Sequence, residues 1–167
     1  MSVQTSYGYS TPIGAPGGIV DIAPYAIDTF LNEEDTGVMK FGLGVVYGTD
    51  KSRKIKLPDK DSAAADFAGI TSNNLHTEFD MEGNIRVAKN QAMGVMRWGR
   101  IYGRVAENCV ISYGDPVLLI VKGDNAGMFC NSSMTGETTI AVKGRFLSAV
   151  DGTTKAAAIE LFNQAQA

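Results

Sequence analysis

An all-β fold, a small β-barrel or jelly-roll-like sandwich, is predicted by three features of this sequence. Glycine supplies 19 of the 167 residues without a G-X-Y period, which favours tight turns and bulges over long helices. The apolar segments are short and separated by turn clusters, the spacing of sandwiches and barrels. The stretch 91–121, QAMGVMRWGRIYGRVAENCVISYGDPVLLIV, contains a whole strand–turn–strand unit. Within it Ile101, Gly103 and Val105 alternate with Arg100, Tyr102 and Arg104, the period of two of a strand with one face in a core. Tyr113-Gly114-Asp115-Pro116 supplies the turn, because Gly tolerates positive φ, Asp bonds its own downstream backbone and Pro suits a strand start. Val117 to Val121 is wholly apolar and rich in β-branched residues, which predicts a strand covered on both faces.

Taken in order, residues 1–24 differ from the body at 25–167. Pro12, Pro16 and Pro24 stand among Gly8, Gly14, Gly17 and Gly18, with neither Lys nor Arg. Proline removes amide donors and glycine weakens regular elements, so an extended N-terminal arm is expected. Its Tyr7, Tyr9, Ile13, Ile19, Val20 and Ile22 suit a segment that lies on another surface. Tyr25 to Asn32 fits a short helix or an extended strand, ended by the acidic turn Glu33 to Gly37. Phe41 to Gly48 reads as a strand, Ile55 and Leu57 belong to the next, and Asp61 to Asp66 suits one helical turn. Phe67 to Thr71 is a short strand, Asn73 to Gly83 a polar loop, and Ile85 to Ala88 leads into the stretch described above. Beyond it, the loop Gly123 to Gly127 carries Met128, Phe129 and Cys130 into a strand. Thr138 to Val150 contains another, with Gly144 marking a bulge, and Ala156 to Phe162 closes the chain as a strand or a short helix.

Composition narrows the function. The net charge is −3, without the basic stripe of a nucleic-acid surface. The densest basic patch, Lys51, Arg53, Lys54 and Lys56, reads as a solvated strand-and-loop edge that discourages sheet-to-sheet pairing. No apolar run approaches the roughly 18 residues of a membrane helix, and no charged and apolar leader opens the chain. A soluble protein made in a reducing cytosol is expected, with Cys109 and Cys130 as buried thiols.

Catalytic chemistry finds little support. His76, the only histidine, has no second ligand at metal spacing. No GxSxG or HExxH occurs, and Gly42 to Gly48 departs from a dinucleotide fingerprint by one position, inside a strand pattern. Glu78, Asp80 and Glu82 read as a solvated acidic turn rather than a cation site. Asn131-Ser132-Ser133 matches a glycosylation acceptor without secretory context. No catalytic, cofactor-binding or metal residues are assigned. The best interface candidate is the outward set Arg100, Tyr102 and Arg104 with Trp98, because Tyr, Trp and Arg are enriched at binding hot spots. The arm side chains Tyr7, Tyr9, Ile13, Ile19 and Ile22 join it.

Several segments resemble the structural cement, or capsid decoration, proteins of tailed bacteriophages. They are Phe41-Gly42 with Val45-Val46, Phe67-Ala68-Gly69-Ile70, and Gly94-Val95-Met96 leading to Gly99-Arg100-Ile101-Tyr102. Gly114-Asp115-Pro116-Val117 and the closing Ala157 to Leu161 continue the series in order. The resemblance spans roughly residues 40–162 and implies a non-enzymatic β domain on the outer surface of the virion capsid, assembled in the host cytoplasm. Its implied partners are the major capsid protein and further copies of itself, as a dimer or trimer on a symmetry axis, with neither nucleic acid nor membrane. The competing class is a carbohydrate- or receptor-binding β domain of a virion surface protein, disfavoured because Tyr7, Tyr9 and Trp98 do not share one loop.

Overall fold

A computed structural model describes residues 14–73, 78–79, 81, 85–133 and 136–163. The strands are β1 (Ala26–Asn32), β2 (Gly44–Tyr47), β3 (Lys54–Lys56), β4 (Phe67–Thr71), β5 (Glu78–Phe79), β6 (Ile85–Arg86), β7 (Ala92–Arg104), β8 (Pro116–Ile120), β9 (Phe129–Cys130), β10 (Thr139–Phe146) and β11 (Ala156–Leu161). Among the described residues the only helical element is a single 3-10 turn, Ala64–Asp66. It falls inside the segment where one helical turn is expected.

Five strands close into a barrel. β1 pairs in parallel with β3, β3 antiparallel with β2, β2 with β4, β4 with β7, and β7 returns to β1. Closure satisfies the backbone of every member and removes exposed edges. The all-β expectation therefore holds, in its barrel form. The same closure corrects one detail: β3, the strand of Lys54 and Lys56, has a neighbour on each side and is not an edge.

β7 does not stop at the barrel. Its first half, Ala92 to Trp98, pairs with β1. Its second half, Gly99 to Arg104, pairs with β11, which begins the series β11–β10–β8–β9. A parallel bridge between Val105 and Phe129, with the Ala106 amide 3.0 Å from the Phe129 carbonyl, rolls this second sheet back toward the end of β7. The two halves own separate cores. Phe30, Phe41, Val45, Ile55 and Met93 fill the barrel, while Met96, Ile101, Leu119, Phe129, Phe146 and Ile159 fill the second sheet's interior.

Serving two cores forces a change of phase along β7. Met93 and Val95 face the barrel, yet Met96 and Ile101, five positions apart and so of opposite parity, face the other interior. The register supplies the extra residue: Ala26 is opposite Trp98 and Ile27 opposite Met96, leaving Arg97 unpaired, the two-against-one count of a bulge. Gly99 follows with φ +121°, and a Cβ there would lie 2.5 Å from that of Tyr25. Glycine is required on both counts.

Several local expectations are refined by this topology. Tyr25 to Asn32 resolves as strand, since β1 has a barrel neighbour on either side. The predicted polar loop 73–83 is in part the first arm of a hairpin, β5 with β6. The predicted bulge at Gly144 is present: Val142 pairs with Val117 and Arg145 with Pro116, so two residues of β10 are skipped.

One buried polar residue ties β1 to the approach of β7. Asn32 is fully buried. Its Nδ2 donates to the Ala88 carbonyl at 3.0 Å and the Glu34 carbonyl at 3.2 Å, while its Oδ1 accepts from the Glu34 amide at 3.0 Å. Removing the side chain takes away the partner of these half-buried backbone groups and leaves a void where Asn32 was buried. Asn32→Ala is expected to destabilise the protein by about 2–4 kcal/mol, read as a lower denaturant midpoint with unchanged m-value.

Candidate functional site

The outer face of β7's second half is covered by the chain's own N-terminal segment. The Gly17 amide donates to the Tyr102 carbonyl at 2.7 Å, the Tyr102 amide to the Gly18 carbonyl at 2.9 Å, and the Val20 amide to the Arg100 carbonyl at 3.1 Å. Ile19 bridges Ile101 in antiparallel register. Glycine makes the approach close: a Cβ on Gly14 would sit 2.5 Å from Cε2 of Tyr102. On its other side the Gly17 carbonyl accepts from the Asn73 amide at 2.8 Å, so residues 17–20 act as an added strand.

This placement decides the fate of the sequence-predicted set. The alternation holds, because Ile101 is fully buried in the second core and Tyr102 lies on the opposite face. The exposure does not. Tyr102 is only 8% exposed, packed with Ala156, Ala158, Val20 and Leu147 beneath the arm. A period-two pattern reports which face a residue is on, not what else covers that face.

The two arginines are likewise engaged within the chain. Arg100 Nη1 lies 2.7 Å from Asp21 Oδ2 and its Nε 3.0 Å from Glu160 Oε1. Glu160 Oε2 is 2.7 Å from Arg145 Nε. Asp21 Oδ1 also accepts from the Ala23 amide at 2.9 Å, so one aspartate fixes both the arm's contact with β7 and its exit. The Arg100 guanidinium, with help from the Ala23 amide, holds the Asp21 carboxyl below its usual range. Burial alone would raise Glu160, but hydrogen bonds from Arg145 and Arg100 outweigh it and the net shift is downward. Arg104 Nε donates to the Phe41 carbonyl at 2.8 Å and burial pushes its pKa down. It braces the loop before β2 against the end of β7.

Exposed apolar side chains gather where the arm turns off β7. An open groove of about 670 Å³ is lined by Ala23, Pro24, Trp98, Gly99, Leu161 and Phe162, with Arg100, Arg145 and Glu160 as polar neighbours. Trp98 is 38% and Phe162 48% exposed, and Tyr25 and Ile22 beside Ala23 and Pro24 are exposed as well, Ile22 completely. Ile19 is also partly exposed. Trp98, Ile19 and Ile22 were legible as candidates, whereas Tyr25 and Phe162 were missed. Phe162 carries a usable signal: it follows Leu161, the last inward residue of β11, so the alternation points it outward.

Tyr7, Tyr9 and Ile13 lie outside the described residues, as do His76, Asp80 and Glu82. Glu78 is described only as backbone of β5. Among the described residues no three His, Cys, Asp or Glu side chains gather to hold a metal, and no helix is long and apolar enough to cross a membrane.

The sequence matches the structural cement protein family (E217 gp24/Pam3 gp6) over residues 3–163. The chain belongs to this family of phage cement proteins. The cement family is a structural one, which places the protein in the virion as a component associated with the capsid. Its fold is similar to a chain from the capsid of Myoviridae phage XM1, with a TM-score of 0.68 at 16% identity, covering 96% of this chain and 98% of that one. At that identity the likeness is one of fold. No curated protein matches the sequence. The resemblance carried by Phe67 to Ile70, Gly114 to Val117 and Ala157 to Leu161 is thus borne out, and these segments are β4, the entry to β8 and β11 of the cement protein.

Two outcomes test the docked arm. Tyr102→Ala removes a ring buried between arm and sheet, and is expected to cost about 2–4 kcal/mol and to open the 14–20 segment to limited proteolysis. The acid dependence follows from the carboxyls. Asp21 and Glu160 are both more acidic folded than unfolded, so their contribution is complete above about pH 4.5 and is lost as the pH falls below about 4. Amide exchange at Val20 and Tyr102, corrected for intrinsic rates, should therefore be faster relative to the core at about pH 3 than at neutrality.

Proposed function

We propose that this cement protein binds the outer surface of a tailed-phage head and stabilises contacts between major capsid protein subunits, without catalysing a reaction. The observation that carries the proposal is the apolar cluster at the arm root. Trp98 and Phe162 line one groove and are exposed, with exposed Ile22 and Tyr25 flanking its Ala23 and Pro24 in sequence, while the remaining large apolar side chains of β7 are buried. Contiguous exposed aromatic surface rimmed by polar groups marks a protein contact. The ion pairs of Arg100, Glu160 and Arg145 along one wall form a polar rim of this kind.

Binding alone performs the cement role. A protein that binds the assembled shell and not its dissociated parts stabilises the shell by mass action. Each contact can be of ordinary size, about 1,000–2,000 Å². Attachment at more than one point raises effective affinity without new contacts, whether through body and arm or through a dimer or trimer of cement subunits on a symmetry axis. The net charge of −3 agrees with an external position, since a surface facing packaged DNA gains from positive charge.

Occupancy on purified heads tests the proposal. Trp98→Ala combined with Phe162→Ala is expected to weaken binding at least about thirtyfold, the effect of losing a hot spot, with a melting midpoint within about 2 °C of the parent. Unchanged occupancy would remove the groove from the capsid contact. Failure of the parent protein to bind heads at all would remove the cement function.

A further inference from the structure

We infer that Cys109 and Cys130 form a latent disulfide, a thiol pair that closes across the seam of the second sheet on meeting a small-molecule disulfide as oxidant. The topology brings the two together. Cys130 ends β9, a two-residue strand paired within its sheet only to β8. The chain leaving β7 runs beside β9 through the Val105–Phe129 bridge and the 3.0 Å bond from the Ala106 amide to the Phe129 carbonyl. Cys109, a few residues further on, packs against the cluster of Ala106, Ile120 and Cys130. The two thiols are hydrogen-bonded to each other. Cys130 is buried and Cys109 partly exposed, and they are not joined by a disulfide.

The surroundings keep the pair reduced until an oxidant is supplied. Burial is the main cause that pushes both thiols up, Cys130 to about 11, and the nearby Glu137 carboxylate adds to it. The thiolate is the nucleophile, so both sulfurs are slow to react at neutral pH and faster as pH rises. The balanced chemistry is two exchanges. The more accessible Cys109 thiolate attacks one sulfur of the oxidant, forming a mixed disulfide and releasing one thiolate. The Cys130 thiolate then attacks the Cys109 sulfur, forming the Cys109–Cys130 bond and releasing the second. The protein loses two protons and two electrons, and the oxidant is reduced to two thiols.

The bond would staple β9 to the chain leaving β7, where a single bridge joins them. If the protein works on a virion surface, as the proposed function has it, the occasion is release from a reducing cytosol into an oxidising exterior. The chemistry itself stands apart from that proposal and is tested on the isolated protein.

The folded full chain is incubated with oxidised glutathione or with a reducing agent at about pH 9, where the thiolate fraction is larger than at neutrality, then compared by intact mass, thiol titration and thermal melting. The expected product is a monomeric chain lighter by two hydrogens, without a glutathione adduct, melting about 6–12 °C above the reduced protein. Cys109→Ser and Cys130→Ala, treated identically, should show no such rise. A product that stays dithiol, retains glutathione, cross-links between chains, or melts at or below the reduced protein overturns the inference.

Discussion

Backbone pairing on both edges of β7 is the constraint on which the rest of this structure depends. The strand is 13 residues long, about 43 Å if straight, more than twice a usual strand. Over its first half it has β1 on one side and β4 on the other. Over its second half it has β11 on one side and the N-terminal segment on the other. The barrel's interior and that of the second sheet thereby share a covalent and hydrogen-bonded spine. The cost is concentrated at one place, the bulge at Arg97 and the positive φ of Gly99, where the inward parity is exchanged.

The apolar groove lies beside that same crossover. Trp98 is the last residue before Gly99, the arm leaves β7 at Asp21 to Pro24, and Phe162 arrives from the end of β11. The change of parity turns large side chains outward at a point where neither core can take them. A rigid spine beneath holds them in fixed relation to the arm, and the Arg100–Asp21 pair sets where the arm departs. If a capsid partner covers the groove as proposed, little freedom is left to lose, which favours affinity at a given contact area.

How far the fold was readable follows from the range of the interactions concerned. Period-two alternation assigned Ile101 to a core and Tyr102 to the other face correctly, because parity is a local property. It could not show that Gly14 to Val20, more than eighty residues earlier, lies over Tyr102. The glycines at 94 and 99 punctuate β7 in sequence, so its length reads as several pieces; their absence of side chains is what lets Ser72 and Tyr25 approach so closely. Barrel closure by the parallel β1–β3 pair likewise joins segments that no single turn connects, with β2 between them in sequence. The candidate site was half legible for the same reason: Trp98 stands out by residue type, whereas Tyr25 and Phe162 matter through the company they keep.

Native-state hydrogen exchange along β7 tests most directly whether one strand makes one unit of the two halves. With the spine intact, the slow amides of Met93 to Met96 and of Ile101 to Gly103 should open with the same free energy and the same denaturant dependence, that of global unfolding. Two distinct opening free energies, with one half exchanging while the other stays protected, would contradict the account and make the barrel and the second sheet two units that merely share a chain.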